Sequence, residues 1–381
     1  MNNDKLTRVL SYIVVALLSV TLTVAVMLGI FVFNQQGQSK LQYLENLILQ
    51  CFIGEVDQTS IEDAAANAMV NALGDRWSYY IPADQYASHM DQVNNSYVGI
   101  GITVQAREDG AILVVQVSPG GPSEEAGIQT GDVIIEVAGQ SVIGMSLNDS
   151  KQLIQGEVNT AVAITVQRGE EEQVLQVTRR RIETPVATGE MLEDGIGLVT
   201  IRNFNSKCAA ETIAAMESLM EQGAEKLIFD VRNNPGGYAH ELVELLDYLL
   251  PEGKLFTTVD YTGKEKTDWS DANCLDIPMA VLVNGNSYSA AEFFAVALSE
   301  YEAAVVVGEK TVGKGYFQST FQLPDGSAVG LSIGKYYTPL GNHLADVGIT
   351  PDIPVEPAKT SVATPMEDPQ IAAAVAALRE K

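Results

Sequence analysis

Residues 279–292 read Met-Ala-Val-Leu-Val-Asn-Gly-Asn-Ser-Tyr-Ser-Ala-Ala-Glu. The apolar run Met279–Val283 predicts a buried strand, and the apolar run from Ala290 to Leu298 predicts a helix. Ser289 stands at the turn between them, and a strand-to-helix turn of this kind lifts a hydroxyl to the rim of an α/β sheet. The stretch therefore predicts an α/β fold and makes Ser289 a candidate nucleophile.

A serine hydroxyl is inert until a base removes its proton, and the candidate base is Lys314 in Gly-Lys-Gly-Tyr-Phe-Gln, residues 313–318. A lysine can act as a base if burial and apolar neighbours keep its amine neutral near pH 7. The flanking glycines carry no Cβ, so another backbone can come close to the lysine. Ser289 and Lys314 are therefore predicted to form a nucleophile and its base.

Ser289 also has a simpler interpretation. Ser289-x-x-Glu292 before an apolar run is a capping box, so the serine could serve only to cap the helix. The two roles are compatible, because backbone N–H groups at a helix N-terminus stabilise a developing oxyanion.

Lys314 has a competing interpretation as part of a nucleotide site. Gly308-x-x-x-x-Gly313-Lys314 matches the start of a phosphate-binding P-loop. However, Gly315 stands where a P-loop has its magnesium-binding Ser or Thr, and residues 316–321 alternate like a strand where a P-loop needs a helix. A P-loop nucleotide hydrolase is therefore disfavoured.

The composition excludes some classes of partner. The chain has 381 residues, long enough for two domains, and 49 acidic against 23 basic residues give a net charge of -26. Since no basic run interleaved with aromatic residues occurs, we expect no nucleic-acid partner. The acidity is typical of a solvated surface.

Cysteine and histidine give no sign of a metal site. The three cysteines are too few and too scattered for a disulfide framework or a zinc site. Cys208 and Cys274 could pair, but we expect both to be small buried apolar residues. The three histidines share no metal-ligand spacing, and only His240 suggests a Ser-His arrangement, although it fits a helix start equally well.

The N-terminal region predicts a membrane anchor. Residues 12–33 are almost entirely apolar and would span roughly 33 Å as a helix. Lys5 and Arg8 precede this run, so the positive-inside rule predicts a cytoplasmic N-terminus at residues 1–10, a transmembrane helix at 11–33 and everything after residue 40 outside. A cleaved signal peptide is the alternative, but no small-x-small site follows Phe33, so an uncleaved anchor is preferred.

Residues 97–181 change to short β-rich runs separated by turn residues. Strands are predicted at 99–105, 112–117, 133–137, 162–167 and 173–177, with short helices near 123–126 and 147–155. The stretch Ala-Gly-Ile-Gln-Thr-Gly-Asp-Val-Ile (126–134), with Gly99-Ile100-Gly101 ahead of it, resembles a PDZ domain of the bacterial protease type.

PDZ domains bind an extended peptide as an added strand and hold its C-terminal carboxylate on backbone N–H groups of a glycine loop. By this resemblance the carboxylate-binding residues would be Val98, Gly99, Ile100 and Gly101. A plain β-turn is the simpler interpretation of the two glycines.

After residue 184 the pattern alternates between strands and helices. Strands are predicted at 197–201 and 226–231, and helices at 211–220 and 241–250. Gly236-Gly237 follows a strand and precedes a helix, where its N–H groups are natural oxyanion-hole donors. A tight turn without chemistry is the alternative.

These motifs occur in a characteristic order, with Asp-Arg-Trp-Ser-Tyr-Tyr (75–80) before the PDZ-like region, followed by Arg-Asn-Asn-Pro-Gly-Gly (232–237), Ser-Ala-Ala-Glu (289–292) and residues 313–318. The order resembles the carboxyl-terminal processing peptidases, or tail-specific proteases, of the S41 serine peptidase family. The resemblance implies an α/β protein with an N-terminal transmembrane helix, a helical segment, a PDZ β-barrel-like domain and a ClpP/crotonase-like α/β serine peptidase core. The implied ranges are 38–93 for the helical segment, packed with the core, 95–181 for the PDZ domain, 184–358 for the core and 359–381 for a helical tail.

The resemblance also implies roles for individual residues. Ser289 would be the nucleophile, Lys314 the base and Gln318 the residue that orients the lysine. Gly236 and the N–H of Ala290 would form the oxyanion hole. Pro235, where many relatives have glycine, has no N–H to donate, and Ala291 replaces a frequent serine.

The implied function is that of a membrane-anchored serine endopeptidase that processes or degrades extracytoplasmic proteins and recognises apolar C-terminal tails through the PDZ domain. Its partners would be proteins or peptides with accessible C-termini and the membrane, and no cofactor or metal is implied. A homodimer is left open. The alternative from another class is a non-catalytic PDZ-bearing surface adaptor, which the intact Ser289, Lys314 and Gln318 argue against.

Overall fold

The structure is a computed structural model that describes residues 12–25, 27, 39–107, 110–359 and 362–380. It divides into two compact units, residues 1–74 and 75–381. In the first unit the helices are α1 (residues 12–25), α2 (Lys40–Cys51) and α3 (Gln58–Asn71). The predicted break at Gly54 lies between α2 and α3, and the Asp57 carboxylate caps α3 by accepting from the N–H of Thr59 and Ser60.

The predicted membrane span is covered only in part. Residues 12–25 are helical, whereas residues 1–11 and 28–38 lie outside the described residues. Within the described ranges, no helix has both the length and the apolar character needed to cross a bilayer.

The PDZ region of the second unit is an antiparallel sheet in the spatial order β3-β4-β5-β7-β8, with β6 beside β5 and a separate ribbon of β2 and β9. Its helices pack on a core that includes Val114, Ile134 and Val166. The strands are β2 (Ser96–Gly99), β3 (Ile102–Ala106), β4 (Ile112–Val117), β5 (Val133–Val137), β6 (Gln140–Ser141), β7 (Ala161–Arg168), β8 (Glu171–Thr178) and β9 (Arg180–Glu183), and the helices are α5 (Pro122–Ala126) and α6 (Leu147–Ile154).

The single strand predicted at 99–105 is wrong. The chain forms two strands there, and Gly99 ends β2 while Ile102 begins β3. Gly101 between them has φ +75°, a left-handed conformation that interrupts an extended strand and that glycine adopts at no steric cost.

The core of the chain after residue 184 is a six-stranded sheet in the order β10-β11-β12-β15-β16-β19, parallel except for the β10–β11 pair. All five residues of Met279–Val283 are buried, as expected for a central parallel strand covered on both faces. The strands are β10 (Ala187–Met191), β11 (Ile196–Ile201), β12 (Lys226–Asp230), β15 (Met279–Val283), β16 (Ala304–Gly308) and β19 (Ile353–Pro354).

Helices cover both faces of this sheet. Alternate residues of β15 enter two different cores: Val281 packs with the residues of α7 (Cys208–Glu221), α8 (Ala239–Leu249) and α9 (Ala290–Glu300), while Leu282 packs with those of α10 (Pro369–Arg379). Side chains alternate between the faces of a strand, so this division fixes which helices lie on which side.

A second sheet in this part of the chain joins distant segments. β18 pairs with β1, β13 and β17, and β14 lies beside β13. Residues 75–93 of the predicted helical segment thus belong to the second unit, with β1 as a strand of this sheet and α4 (Ala83–Val93) after it. The strands are β1 (Tyr79–Ile81), β13 (Gly253–Asp260), β14 (Glu265–Ser270), β17 (Tyr316–Gln322) and β18 (Ala328–Tyr337).

The cysteines are all free, and Cys208 is buried in α7 as expected. The prediction that Cys274 is buried is wrong. It is exposed, in the polar loop between β14 and β15 beside Asp271 and Asn273, where no apolar layer covers it.

Candidate active site

The predicted site residues lie at the carboxyl edge of the parallel sheet. The loops after β12, β15 and β16, three adjacent parallel strands, carry Gly236, Ser289 and Lys314 respectively. In open α/β sheets, ligands bind outside the carboxyl ends of the strands. The topology therefore brings together residues that are far apart in the sequence.

Ser289 occupies a strained turn between β15 and α9. Its backbone has φ 59° and ψ −126°, a region that non-glycine residues rarely adopt and that is common at functional sites. The turn is held in place by the Ser287 hydroxyl, which donates to the Val231 carbonyl at 2.8 Å, and by the Tyr288 N–H, which donates to the Asn234 carbonyl at 3.1 Å. The sharp strand-to-helix turn is the backbone geometry that a nucleophile elbow requires, and the role of Ser289 as nucleophile stays a prediction.

Glu292 joins the serine loop to the lysine loop. Its side chain is fully buried, and its Oε2 accepts from the N–H of Ser289 at 3.0 Å and from the N–H of Lys314 at 2.8 Å. Its Oε1 accepts from the N–H of Gly313 at 2.7 Å and from the Thr311 hydroxyl. Glu292 therefore does more than complete a capping box: one carboxylate fixes both loops side by side.

The amine of Lys314 is enclosed by aromatic rings. Its Nζ lies 4.9 Å from the ring centroid of Trp77 and 5.7 Å from that of Tyr288. Burial lowers the pKa of Lys314 from 10.5 to about 8, although the negative charges of Asp75 and Glu292 oppose this shift. About a tenth of the amine is then neutral at pH 7, and most of it above pH 8, and the neutral amine is the form that a general base requires.

The hydrogen bonds of the Gln318 side chain go to residues other than Lys314. Its Nε2 donates to the Ser332 hydroxyl at 3.0 Å and to the Tyr316 carbonyl at 3.3 Å. The register of β17 against β18 shifts between Phe317 and Gln318, which changes the direction of the side chain. The orienting role of Gln318 stays a prediction.

The two predicted oxyanion-hole residues are neighbours of the serine. A Cβ placed on Gly236 would lie 2.7 Å from the Ser289 Cβ and 2.8 Å from the Ala290 nitrogen, so only glycine fits there. However, the N–H of Gly236 donates to the Asn234 side chain at 2.8 Å. This donor is engaged within its own loop, and sequence reasoning did not foresee that partner.

His240 is not part of this arrangement. Its side chain is 69% exposed at the start of α8, lies 3.4 Å from the Glu241 carboxylate and stacks on Tyr238. A Ser-His pair with Ser289 is therefore not formed. In the described part of the chain, no group of His, Cys, Asp and Glu residues could hold a metal ion.

Trp77 and Asp75 were missed as site residues by sequence reasoning. They belong to the stretch 75–80, which served only as a mark of family resemblance. Nothing local connects this stretch with Lys314, since the contact depends on the pairing of β1 with β18. The aromatic and acidic composition of the stretch was the one available signal.

A groove in the PDZ region contains all four residues predicted to bind a carboxylate. It has a volume of about 310 Å³ and lies between the glycine loop and α6. β3 is an edge strand of its sheet, so its outer side can accept an added strand. The groove is lined by Tyr97, Val98, Gly99, Ile100, Gly101, Ile102, Val104, Lys151, Ile154 and Gln155.

The fold and the site define a class of protein: an α/β hydrolytic enzyme with a serine elbow and a PDZ domain. The family model "Peptidase family S41" matches residues 195–355, and a PDZ domain model matches residues 113–168. The chain belongs to peptidase family S41 and is a serine peptidase related to the carboxy-terminal processing proteases.

Individual relatives agree with this assignment. A probable CtpA-like serine protease of Staphylococcus aureus (strain COL) is 32% identical over 362 residues, which cover 91% of this chain and 72% of the relative. The carboxy-terminal processing protease CtpA of Bacillus subtilis (strain 168) is 33% identical over 326 residues, 84% of this chain and 70% of the relative. A crystal structure of a putative S41 protease from Bacteroides fragilis shares the fold with a TM-score of 0.55 at 16% identity, covering 89% of this chain and 97% of that one.

Proposed function

We propose that this chain is a membrane-anchored serine endopeptidase in which Ser289 and Lys314 form the catalytic dyad. The observation that carries the proposal is the shared acceptor: the N–H groups of Ser289 and Lys314 both donate to Oε2 of buried Glu292. Preorganisation of this kind keeps a nucleophile and its base in place without cost at the moment of reaction.

The chemistry follows from the charge states. Neutral Lys314 accepts the hydroxyl proton as the Ser289 oxygen attacks the scissile carbonyl, and the resulting ammonium gives that proton to the leaving amine. The N–H of Ala290, in the first turn of α9, would stabilise the oxyanion together with the helix N-terminus. Water then hydrolyses the acyl-enzyme by the same proton transfers in reverse.

The dyad is tested by cleavage of an unfolded protein by the full chain purified in detergent. Ser289→Ala and Lys314→Ala should each lower kcat/KM at least about a thousandfold, because each removes a member of one catalytic unit. Lys310→Ala, an exposed lysine of the same loop, is the matched control and should cleave at the normal rate. Normal cleavage by either dyad variant would refute the proposal.

The PDZ groove is proposed to recognise apolar C-terminal tails and to deliver them for cleavage. Its apolar walls, Ile102, Val104 and Ile154, suit apolar side chains, and the edge of β3 suits an extended backbone. The groove is the basis for the proposed recognition of substrates, whereas the dyad is the basis for the proposed reaction.

The proposed location is the extracytoplasmic side of the cell membrane, on an uncleaved anchor. The support is the sequence alone: Lys5 and Arg8 before an apolar run at residues 12–33, with no small-x-small site after it. A peptidase that uses no nucleotide can act there on surface or secreted proteins.

A further inference from the structure

A short segment at the start of the second unit covers the amine of Lys314. We call residues 75–78 the tryptophan strap. The ring centroid of Trp77 lies 4.9 Å from the Nζ atom of Lys314. It also lies 5.7 Å from the ring centroid of Tyr288, the residue before the serine. The same segment therefore touches both the lysine loop and the serine loop.

The strap is fixed by hydrogen bonds that lead to Gln318. The Asp75 carboxylate accepts from the Trp77 N–H at 3.1 Å and from the Ser78 hydroxyl at 2.6 Å. The Ser78 oxygen accepts from the Ser332 N–H at 3.1 Å, and the Ser332 oxygen accepts from Gln318 at 3.0 Å. The pairing of β1 with β18, directly after the strap, holds this chain of bonds in register.

We propose that Trp77 is a positioning residue for the base: its ring, together with that of Tyr288, keeps water from the neutral Lys314 amine and stabilises the ammonium once the amine has taken the proton. The proposal rests on the proposed function, since it assigns Lys314 the role of base.

Two physical effects of the ring act at different stages. Before proton transfer, exclusion of water disfavours the charged lysine and keeps a larger fraction neutral. After transfer, the face of the indole attracts the ammonium, a favourable interaction that is available only to the charged form. Burial is the first cause of the lowered pKa of Lys314, so we expect the exclusion of water to decide the direction in which loss of the ring moves that pKa.

Other charged and titratable groups lie on the segments that pack around Trp77 and the lysine loop. Arg76 lies over the same indole at 4.4 Å, donates to the Val312 carbonyl and approaches Asp346 at 3.7 Å. His343 packs against Gly315, next to the lysine. The groups to be considered in any titration are therefore Asp75, Arg76, Tyr288, Glu292, His343 and Asp346.

The sequence offers a direct spectroscopic test, because Trp77 and Trp269 are its two tryptophans. Trp269 is 63% exposed in β14, so Trp269→Phe leaves Trp77 as the sole indole at little cost. The emission of this full-length variant should change between pH 6.5 and 9.5 with one midpoint near 8, where the amine loses its proton. Adding Lys314→Met should abolish the change.

The emission test distinguishes failure of the contact between Trp77 and Lys314 from failure of the dyad. An emission that does not titrate, or a titration that survives Lys314→Met, would overturn the contact between the indole and the amine. This test does not depend on catalysis. If Lys314→Ala keeps full activity while the emission titrates, the dyad fails but the contact stands.

A second measurement tests the positioning role through the pH profile of kcat/KM. Trp77→Ala admits water to the amine, so its midpoint should move up by about one pH unit or more, with roughly tenfold lower activity at pH 7 that recovers at high pH. Trp77→Phe keeps an aromatic cover and should stay within about threefold of the parent. Trp77→Leu replaces the alanine variant if that variant does not fold. An unchanged midpoint in a folded Trp77→Ala or Trp77→Leu protein would refute the proposal.

Discussion

Glu292 shows how much of this site depends on one buried carboxylate. A buried charge is costly unless hydrogen bonds compensate for it, and Glu292 accepts four of them. Three of the four donors come from residues 311–314, which follow β16. Local sequence reasoning could assign Glu292 to the cap of α9, but it could not identify donors supplied by another loop.

The position of one site residue, Ser289, could be predicted from the sequence alone. The position of Ser289 between a strand and a helix follows from local apolar patterns, and the structure has it there with a strained backbone. The hydrogen bonds of Gly236 and Gln318 with Asn234 and Ser332 depend on side-chain directions that no local pattern specifies. For these two residues, the sequence predicted a place in the active-site region but not the groups to which they donate hydrogen bonds.

At the scale of elements, most strands were predictable because their signals are local. β4, β5 and β15 have the predicted bounds, since each is a run of apolar residues between turn residues. The pairing of β1 with β18 joins residues about 250 positions apart, and alternation within a strand contains no information about a distant partner. That pairing places the tryptophan strap at the lysine.

The edge strand β3 leads to a prediction about tail binding. With Ser289→Ala protein, which should bind without cleaving, a peptide with an apolar tail and a free C-terminal carboxylate should bind about tenfold or more tightly than its amidated copy. The physical reason is that backbone N–H groups of residues 98–101 would hold the carboxylate. Fluorescence anisotropy gives both affinities, and a peptide that ends in aspartate is the control for the apolar walls. Equal affinity of acid and amide would count against carboxylate capture.

At the scale of the whole molecule, the order of the segments explains the architecture. The PDZ region stands in the sequence between β1 and the rest of the core, yet β1 is a strand of a core sheet. The chain therefore leaves the core after α4 and returns at β10. Composition predicted an α/β core with a separate β-rich region, whereas the expectation that a segment before the PDZ region packs with the core came only from the family resemblance, which implied a helical segment and not the strand β1.

The membrane topology of the whole chain can be tested in cells. In intact cells whose outer envelope, if present, has been opened, added protease should digest an epitope tag at the C-terminus and leave one at the N-terminus protected. The reason is the positive charge of Lys5 and Arg8 before the apolar run. Immunoblots of both tags give the result, with a cytoplasmic protein as the integrity control. A protected C-terminal tag would contradict this topology, and a mature chain that starts near residue 35 would replace the anchor by a signal peptide.

If Lys314 is the base for Ser289, the pH dependence of kcat/KM must follow the titration of the lysine amine. Burial lowers the pKa of Lys314 to about 8, so the amine is protonated and inactive below that pH and becomes neutral above it. We expect kcat/KM to rise about tenfold per pH unit below pH 8 and to reach a plateau above it. Lys314→Arg, whose guanidinium stays protonated, should be inactive at every pH. Activity that is independent of pH between 6 and 9, or an active Lys314→Arg enzyme, would show that Lys314 is not the base.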